Sequence, residues 1–324
     1  MKSKAPSHGL EARCRQMAPS DNRFTARMRF HQSWYRRHVL NLPPGPNPAA
    51  PGALHGNMLR PEDGMQGYNF LSEAIHRTVE ERLDQAQGMV EPKRLRNNLL
   101  SSQPMCFNLF APLALDLTLA SRLIAGLSGL PGGSRVTEVK IEYAPPKEWH
   151  LDDNTAFDAW IAYERDGGVR GFVGIESKLT EPFSQAAYAF DERYARWRAR
   201  PGWWWRPGAE QVFSDRRFNQ LWRNHLLAFS MLHQPEQVYQ EGFCAVVYHD
   251  EDTGCTRAMD AYRAQLEPGS ESTLLDWPLG HVVERWTGLL QSREERDWLN
   301  AFRLRYLDLE ASRPAWDLFP EHGR

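Results

Sequence analysis

The sequence predicts an α/β fold: a mixed sheet flanked by helices. Three observations predict it. Helical periodicity fills the region before residue 130, alternating apolar residues follow from 135 to 179, and one short apolar run stands between later helical stretches. The 324 residues suit one large domain or two ordinary ones. A 41% hydrophobic and 25% charged composition allows a sizeable core and argues against wholesale disorder.

The elements follow in order. The first forty residues carry nine Lys or Arg against Glu11 and Asp21, although the whole chain is nearly neutral at −2. Arg23 to Leu40 mixes Arg with Phe24, Phe30, Trp34 and Tyr35, a short helix that lies either on nucleic acid or on the body of the protein. Prolines 43, 44, 46, 48 and 51 then forbid a regular helix and make an extended connector. Asn69 to Gln87 repeats apolar residues at helical steps. Leu95 to Leu127 reads as one or two more helices, broken near Pro104 and Pro112. The apolar stretch Phe107 to Leu130 holds Asp116 and Arg122, so a buried core helix is expected there and no membrane span. The glycine-rich segment 126–134 lacks a phosphate loop's Gly-Lys-Ser/Thr ending and reads as a linker.

Arg135 to Tyr143 alternates, with Val139, Ile141 and Tyr143 on one face. Ala156 to Tyr163 and Gly171 to Leu179 are two further strands, joined across Glu164-Arg-Asp-Gly-Gly-Val-Arg170, a strong hairpin signal. Helices are expected over Ser184 to Arg200 and Arg216 to His233, around Pro201-Gly-Trp-Trp-Trp-Arg-Pro207. Phe243 to His249 is a buried strand, and a helical tail follows, clearest over Glu294 to Glu310. This divides the chain into a basic, proline-rich arm (1–65), a core (66–255) and a C-terminal extension packed on it (256–324).

The chemistry concentrates in the hairpin. Glu176 and Lys178 share one face of their strand, roughly 6.6–7 Å apart. A loop centred on Gly167 sets Asp158 directly opposite Glu176, with Cβ atoms about 4.5–5.5 Å apart. A loop shifted by one residue would break this parity. Facing carboxylates repel unless a proton, a cation or a metal intervenes. A hard divalent ion such as Mg²⁺ suits them, and Lys178 adds a point charge that can orient water or stabilise a pentavalent phosphate. The alternative is a weak surface salt bridge. Gln220, Arg223 and Asn224 stand at i, i+3 and i+4 on one helix face, where Arg223 could clamp phosphate and Gln220 position water or Lys178. Glu181 either forms a salt bridge or completes the site. Trp203 to Trp205 form a packed corner in preference to a base-stacking surface.

Asp158, then seventeen residues, then Glu176-Ser-Lys178 resembles the PD-(D/E)XK signature of restriction-endonuclease-like nucleases. The segments Arg94 to Phe110, Glu142-Tyr-Ala-Pro145, Thr155-Ala-Phe-Asp158 and Gly174 to Glu181 are similar to a little-characterised bacterial family within that superfamily. The likeness spans about Asn69 to Tyr248. Phe157 replaces the proline that names the motif. The resemblance implies a restriction-endonuclease-like αβββαβ core, a divalent metal (Mg²⁺ or Mn²⁺) and phosphodiester hydrolysis. Asp158 and Glu176 map onto the metal ligands, Lys178 onto the catalytic lysine, and the Ser177 main-chain carbonyl onto a further ligand. Glu142 is the preferred extra acid, with Glu73 the alternative.

The expected activity is that of a metal-dependent endonuclease with DNA as the leading substrate. A non-catalytic nucleic-acid-binding or interaction module on the same scaffold is the competing class. An enzyme acting on RNA or a small phosphoester is a third. Two-strand cleavage leaves a homodimer open. Cys14, Cys106, Cys244 and Cys255 show no redox or zinc spacing, and Met1 to Leu10 has no apolar core of a secretory signal, so a cytoplasmic setting is expected.

Overall fold

A computed structural model describes residues 18, 21–50, 52–85, 91–183, 188–235 and 238–318. Helix α1 (Arg23–His38) starts at Asn22, whose side chain accepts the Thr25 N–H at 2.8 Å. Three of its five arginines bond inside the protein. Arg27 donates to Ser312 and the Leu309 carbonyl, Arg29 pairs with Asp21, and Arg36 donates to the carbonyls of Gly56 and Leu42. His31 and Gln32 are fully buried against Leu304 and Arg305. Of the two readings of this segment, the helix lies on the body. Among its described residues the proline-rich connector contains a two-residue ladder, Gly45–Pro46 with Leu54–His55.

Helices α2 (Glu73–Asp84), α3 (Pro92–Asn97), α4 (Ser102–Leu115) and α5 (Leu117–Ile124) follow. The interruptions expected near Pro104 and Pro112 fall at 98–101 and at Asp116 instead, and α4 runs through both prolines. Pro104 lies in the first turn, where helix N–H groups have no partner anyway. Pro112 frees the Asn108 carbonyl, which accepts the Trp298 indole N–H instead at 2.8 Å. Asp116 then closes α4 and caps α5, and the two helices bend by 115°. Among the described residues no single helix is long and apolar enough to cross a membrane.

Strands β1 (Arg135–Tyr143), β2 (Phe157–Arg165) and β3 (Val169–Lys178) form an antiparallel meander. Helices α6 (Glu192–Arg198) and α7 (Arg216–Leu232) lead to β4 (Glu241–Tyr248), parallel to β3. Helix α8 (Thr253–Arg263) leads to β5 (Leu274–Pro278), parallel to β4, and α9 (Leu279–Thr287) and α10 (Arg293–Tyr306) complete the longer elements. Sheet order is β1-β2-β3-β4-β5. The fold class is therefore the expected mixed sheet between helices, with a fifth strand that the sequence pattern did not reveal. That strand is five residues long and ends in proline, so it carries no legible period.

The hairpin register is the expected one. Ala159 pairs with Ile175 and Arg165 with Val169, so the loop centres on Gly167. Gly167 and Gly168 both take positive φ, 83° and 74°, which a side chain would resist. Gly174 has a different duty: a Cβ there would stand 2.2 Å from the Phe157 ring, so its absence lets β2 and β3 close beside Asp158.

Each sheet face carries its own apolar layer. Val139, Ile141, Ile161, Val173, Ile175 and Val247 pack with α4, α5, α10 and Met28 of α1. Trp160, Phe172, Cys244 and Val246 pack with α7, α8, Trp204 and Trp205. Residues buried on both faces give β3 and β4 their nearly unbroken apolar runs. Trp205 donates its indole N–H to the Tyr262 hydroxyl at 2.8 Å, inside the packed corner expected of the tryptophan run. The helix expected from Ser184 is shorter: residues 188–191 are not helical and Asp191 caps α6, while 184–187 lie outside the described residues.

Candidate active site

The end of β1, the start of β2 and the end of β3 lie at one edge of the sheet, with the start of α4 below and the first half of α7 above. Alternation along β3 sends Glu176 and Lys178 toward α7. The Lys178 ammonium lies 2.7 Å from Glu176 Oε1 and donates to Gln220 Oε1 at 3.0 Å. Gln220 returns its amide N–H to Glu176 Oε1 at 2.7 Å, and Asn224 donates to Oε2 at 2.5 Å. Glu176 and Lys178 are both buried, so this is an ion pair with its carboxylate oxygens bonded by side-chain donors. Residues four apart on α7 supply the two amides, as their shared face predicts.

One step beyond the last β2–β3 pair, Asp158 Oδ2 accepts the Ser177 N–H at 2.7 Å and the Ser177 hydroxyl at 2.8 Å. Burial, then the charges of Glu176 and Glu142, push the Asp158 carboxyl well above the usual carboxylate range. Glu142 is buried, and burial pushes its carboxyl up to about 7. Gln103, which donates at 3.2 Å, and Arg82 oppose that rise, while Glu176 adds to it. Burial alone would lower the Lys178 ammonium, but Glu176 and Asp158 raise it on balance. The three carboxyls thus form one electrostatic group around one lysine.

Glu142 reaches this group through an unusual backbone. Its φ is 57°, in the left-handed region. Strand alternation breaks there: Val139 and Ile141 face one layer, and Tyr143 turns to the other, 4.6 Å from the Trp160 ring. The sequence expectation of one shared face for all three is corrected accordingly. Arg82 fixes the bend by donating to the carbonyls of Ile141 and Glu142 at 3.1 and 2.7 Å. Glu73, the alternative acid, sits exposed in the first turn of α2.

Glu181 forms a latch. Its Oε1 accepts Arg94 Nη2 at 2.5 Å and the Ser102 N–H at 2.9 Å, and its Oε2 accepts the N–H groups of Leu179 and Thr180 at 3.3 and 3.2 Å. Burial works against its charge, but Arg94, the Ser102 N–H and Lys178 outweigh it and lower the carboxyl. Glu181 therefore joins the end of β3 to the start of α4, where Gln103 holds Glu142. Nothing in the sequence marks Gln103 or Arg82, since only the fold brings them to β1.

Arg223 is not brought to the carboxylates. Its guanidinium is buried over the Tyr188 ring at 4.3 Å, donates to Thr155 Oγ1 at 2.7 Å and lies 3.5 Å from Asp153. It fastens the segment leading into β2, so a phosphate clamp is not what this side chain is free to be. Arg223→Ala leaves Asp153 buried beside an empty partner position. Urea denaturation should show a loss of about 2–4 kcal/mol, and a loss below about 0.5 kcal/mol, the usual surface-substitution range, would contradict this role.

Among the described residues no group of three His, Cys, Asp or Glu side chains is placed to hold a metal ion by itself. The carboxyls of Asp158, Glu176 and Glu142 act on one another electrostatically, and both Glu176 oxygens are taken by Lys178, Gln220 and Asn224.

No curated protein and no solved structure matches the chain. A family model described as the PD-(D/E)XK nuclease superfamily matches residues 19–308, which includes every side chain of the cluster. With a match of that extent over a mixed sheet that joins Asp158 to Glu176 and Lys178, the chain belongs to the PD-(D/E)XK nuclease superfamily.

Proposed function

We propose that the protein hydrolyses phosphodiester bonds of DNA with Mg²⁺ or Mn²⁺, as an endonuclease acting in the cytoplasm. The observation that carries this reading is the Glu176–Lys178 pair held by Gln220 and Asn224 beside Asp158. The residues fit a divalent ion, since the raised Asp158 and Glu142 carboxyls mark an excess of negative charge that a cation would relieve. Asp158 and Glu176 would hold the ion, with the Ser177 carbonyl as a further ligand and Glu142 in support. When bound, it supplies Lewis acidity to the phosphate and acidifies the attacking water.

The protein's own groups do the rest. Gln220 and Asn224 fix the rotamer of Glu176. Lys178 orients the water and places positive charge where the pentavalent phosphate gathers negative charge. Water attacks phosphorus in line, the opposite P–O bond breaks, and the leaving oxygen takes up a proton. Cleavage of both strands of a duplex often calls for two sites, and a homodimer is one way to supply them.

One feature favours a second reading, a binding module without turnover: Lys178 itself neutralises Glu176 through a closed ion pair. Supercoiled and linear DNA, single-stranded DNA and RNA incubated with Mg²⁺, Mn²⁺ or EDTA separate the cases. We expect DNA cleavage with either ion and none in EDTA. Binding without cleavage in any metal would establish the second reading instead.

A further inference from the structure

A groove of about 790 Å³ adjoins the cluster. It lies between α1, the residues that follow β3, the start of α7 and α8. Phe183 forms a common wall: it lines the groove, and its ring centre lies 5.3 Å from the Lys178 ammonium. Phe218, two residues before Gln220, adds apolar floor.

Four arginines line the groove: Arg29, Arg94, Arg217 and Arg257. Three carboxylates, Asp21, Glu181 and Asp252, also line it, so formal charge alone decides little. Bonding decides more. Asp21 is held by Arg29 at 2.6 and 2.8 Å, and Glu181 by Arg94 and three backbone N–H groups. Asp252 caps α8 through the N–H groups of Gly254 and Cys255, both at 3.0 Å. Asp21 and Glu181 are thus occupied through both oxygens and Asp252 through Oδ1, while guanidinium donors remain for a ligand. The Arg257 side chain is exposed and donates no hydrogen bond among the described residues, with Asp252 as the nearby charge that it acts on. Arg94 uses Nε on Ser101 and Nη2 on Glu181, and its side chain is 40% exposed. The two bonds orient it, and Nη1 is the donor left for a ligand. A groove with spare guanidinium donors complements a chain of phosphates.

Size sets the form of that chain. The volume falls within the range of small-ligand clefts, roughly 300–1,000 Å³. A duplex, whose major groove alone is about 12 Å wide, needs an open cleft. We infer that the groove receives a single nucleic-acid strand, with its phosphates on Arg94 and Arg257, and leads it to Lys178. This rests on the nuclease reading above and adds the strand state of the substrate.

The test uses the full chain in EDTA, so that binding is read without cleavage. Fluorescence anisotropy compares a labelled single-stranded oligonucleotide with the same sequence in a blunt duplex. The single strand should bind about tenfold more tightly. Arg257→Ala, at an exposed position, should weaken single-strand binding about three- to tenfold and lower the slope of log K against log salt by about 0.7. Arg94→Lys should keep much of the affinity that Arg94→Ala loses. Equal or tighter binding of the blunt duplex, or an unchanged salt slope in Arg257→Ala, overturns the inference. If the wild type cleaves with metal while these variants bind normally, the groove assignment alone fails. If the wild type neither binds nor cleaves any nucleic acid, the nuclease reading fails with it.

Discussion

Lys178→Ala should reduce metal-dependent cleavage by at least about 10²- to 10³-fold, the usual cost of removing one group that stabilises transition-state charge. The ammonium is the positive charge in direct contact with the Glu176 carboxylate, and its removal leaves Glu176 with two neutral amides. Breaking a buried pair from one side also costs about 3–5 kcal/mol, so lost activity alone does not prove chemistry. Two controls separate the effects. Lys178→Arg keeps the charge, but its planar fork differs from a compact ammonium; it should fold and still cleave poorly. Nucleic-acid binding in EDTA should persist in both variants wherever urea denaturation shows a folded chain. A folded Lys178→Ala protein that cleaves at the wild-type rate would remove this cluster from the mechanism.

The hairpin was legible because its determinants are local. Gly167 and Gly168 fix the turn, and the turn fixes the register that carries Asp158 to Glu176. The α7 face was legible for the same reason, since Gln220 and Asn224 are four apart and both reach Glu176. Arg223 shares their side of the helix by spacing, but its long side chain turns to Asp153 and Tyr188, groups brought near only by tertiary packing. Glu142 was nameable as an acid near the end of β1. Its entry into the site depends on a left-handed backbone held by Arg82, and no period reports that. Glu181 remained ambiguous in sequence because its partners, Arg94 and Ser102, come from a different part of the chain. Arg27, Arg29 and Arg36 of α1 show the same limit from the other side: composition marks them as a basic surface, and the fold spends them on carbonyls and on Asp21.

The raised Glu142 and Asp158 carboxyls should each cost the metal-free protein stability as pH rises from about 5 to 8, and a divalent ion should offset that cost. The buried His31, His150, His225 and His249 act against it, since their lowered values favour the folded state as pH rises toward 6.5. Glu142 is raised to about 7 and Asp158 well above its ordinary value. The folded state therefore binds protons at these groups more tightly than the unfolded chain. The resulting stability is fully present below the unfolded carboxylate range and is lost as pH rises through the folded values. Each tenfold gain in a carboxyl's proton affinity on folding corresponds to about 1.4 kcal/mol. Glu181 is lowered, so its contribution is lost only in acid, below this window. Thermal unfolding in EDTA at pH 5.5, 7 and 8 measures the effect. Glu142→Gln should raise the melting temperature at pH 8 and change it little at pH 5.5, because it removes the charge while keeping the shape and leaves the histidine contributions common to both proteins. At pH 8, Mg²⁺ near one hundred times its dissociation constant should add about 2.7 kcal/mol, a rise of several degrees. The gain should shrink at pH 5.5, where protons compete with the ion for the same carboxyls. A melting temperature at pH 8 indifferent to Glu142→Gln and to Mg²⁺ would mean that the three carboxyls do not share an ion-binding site.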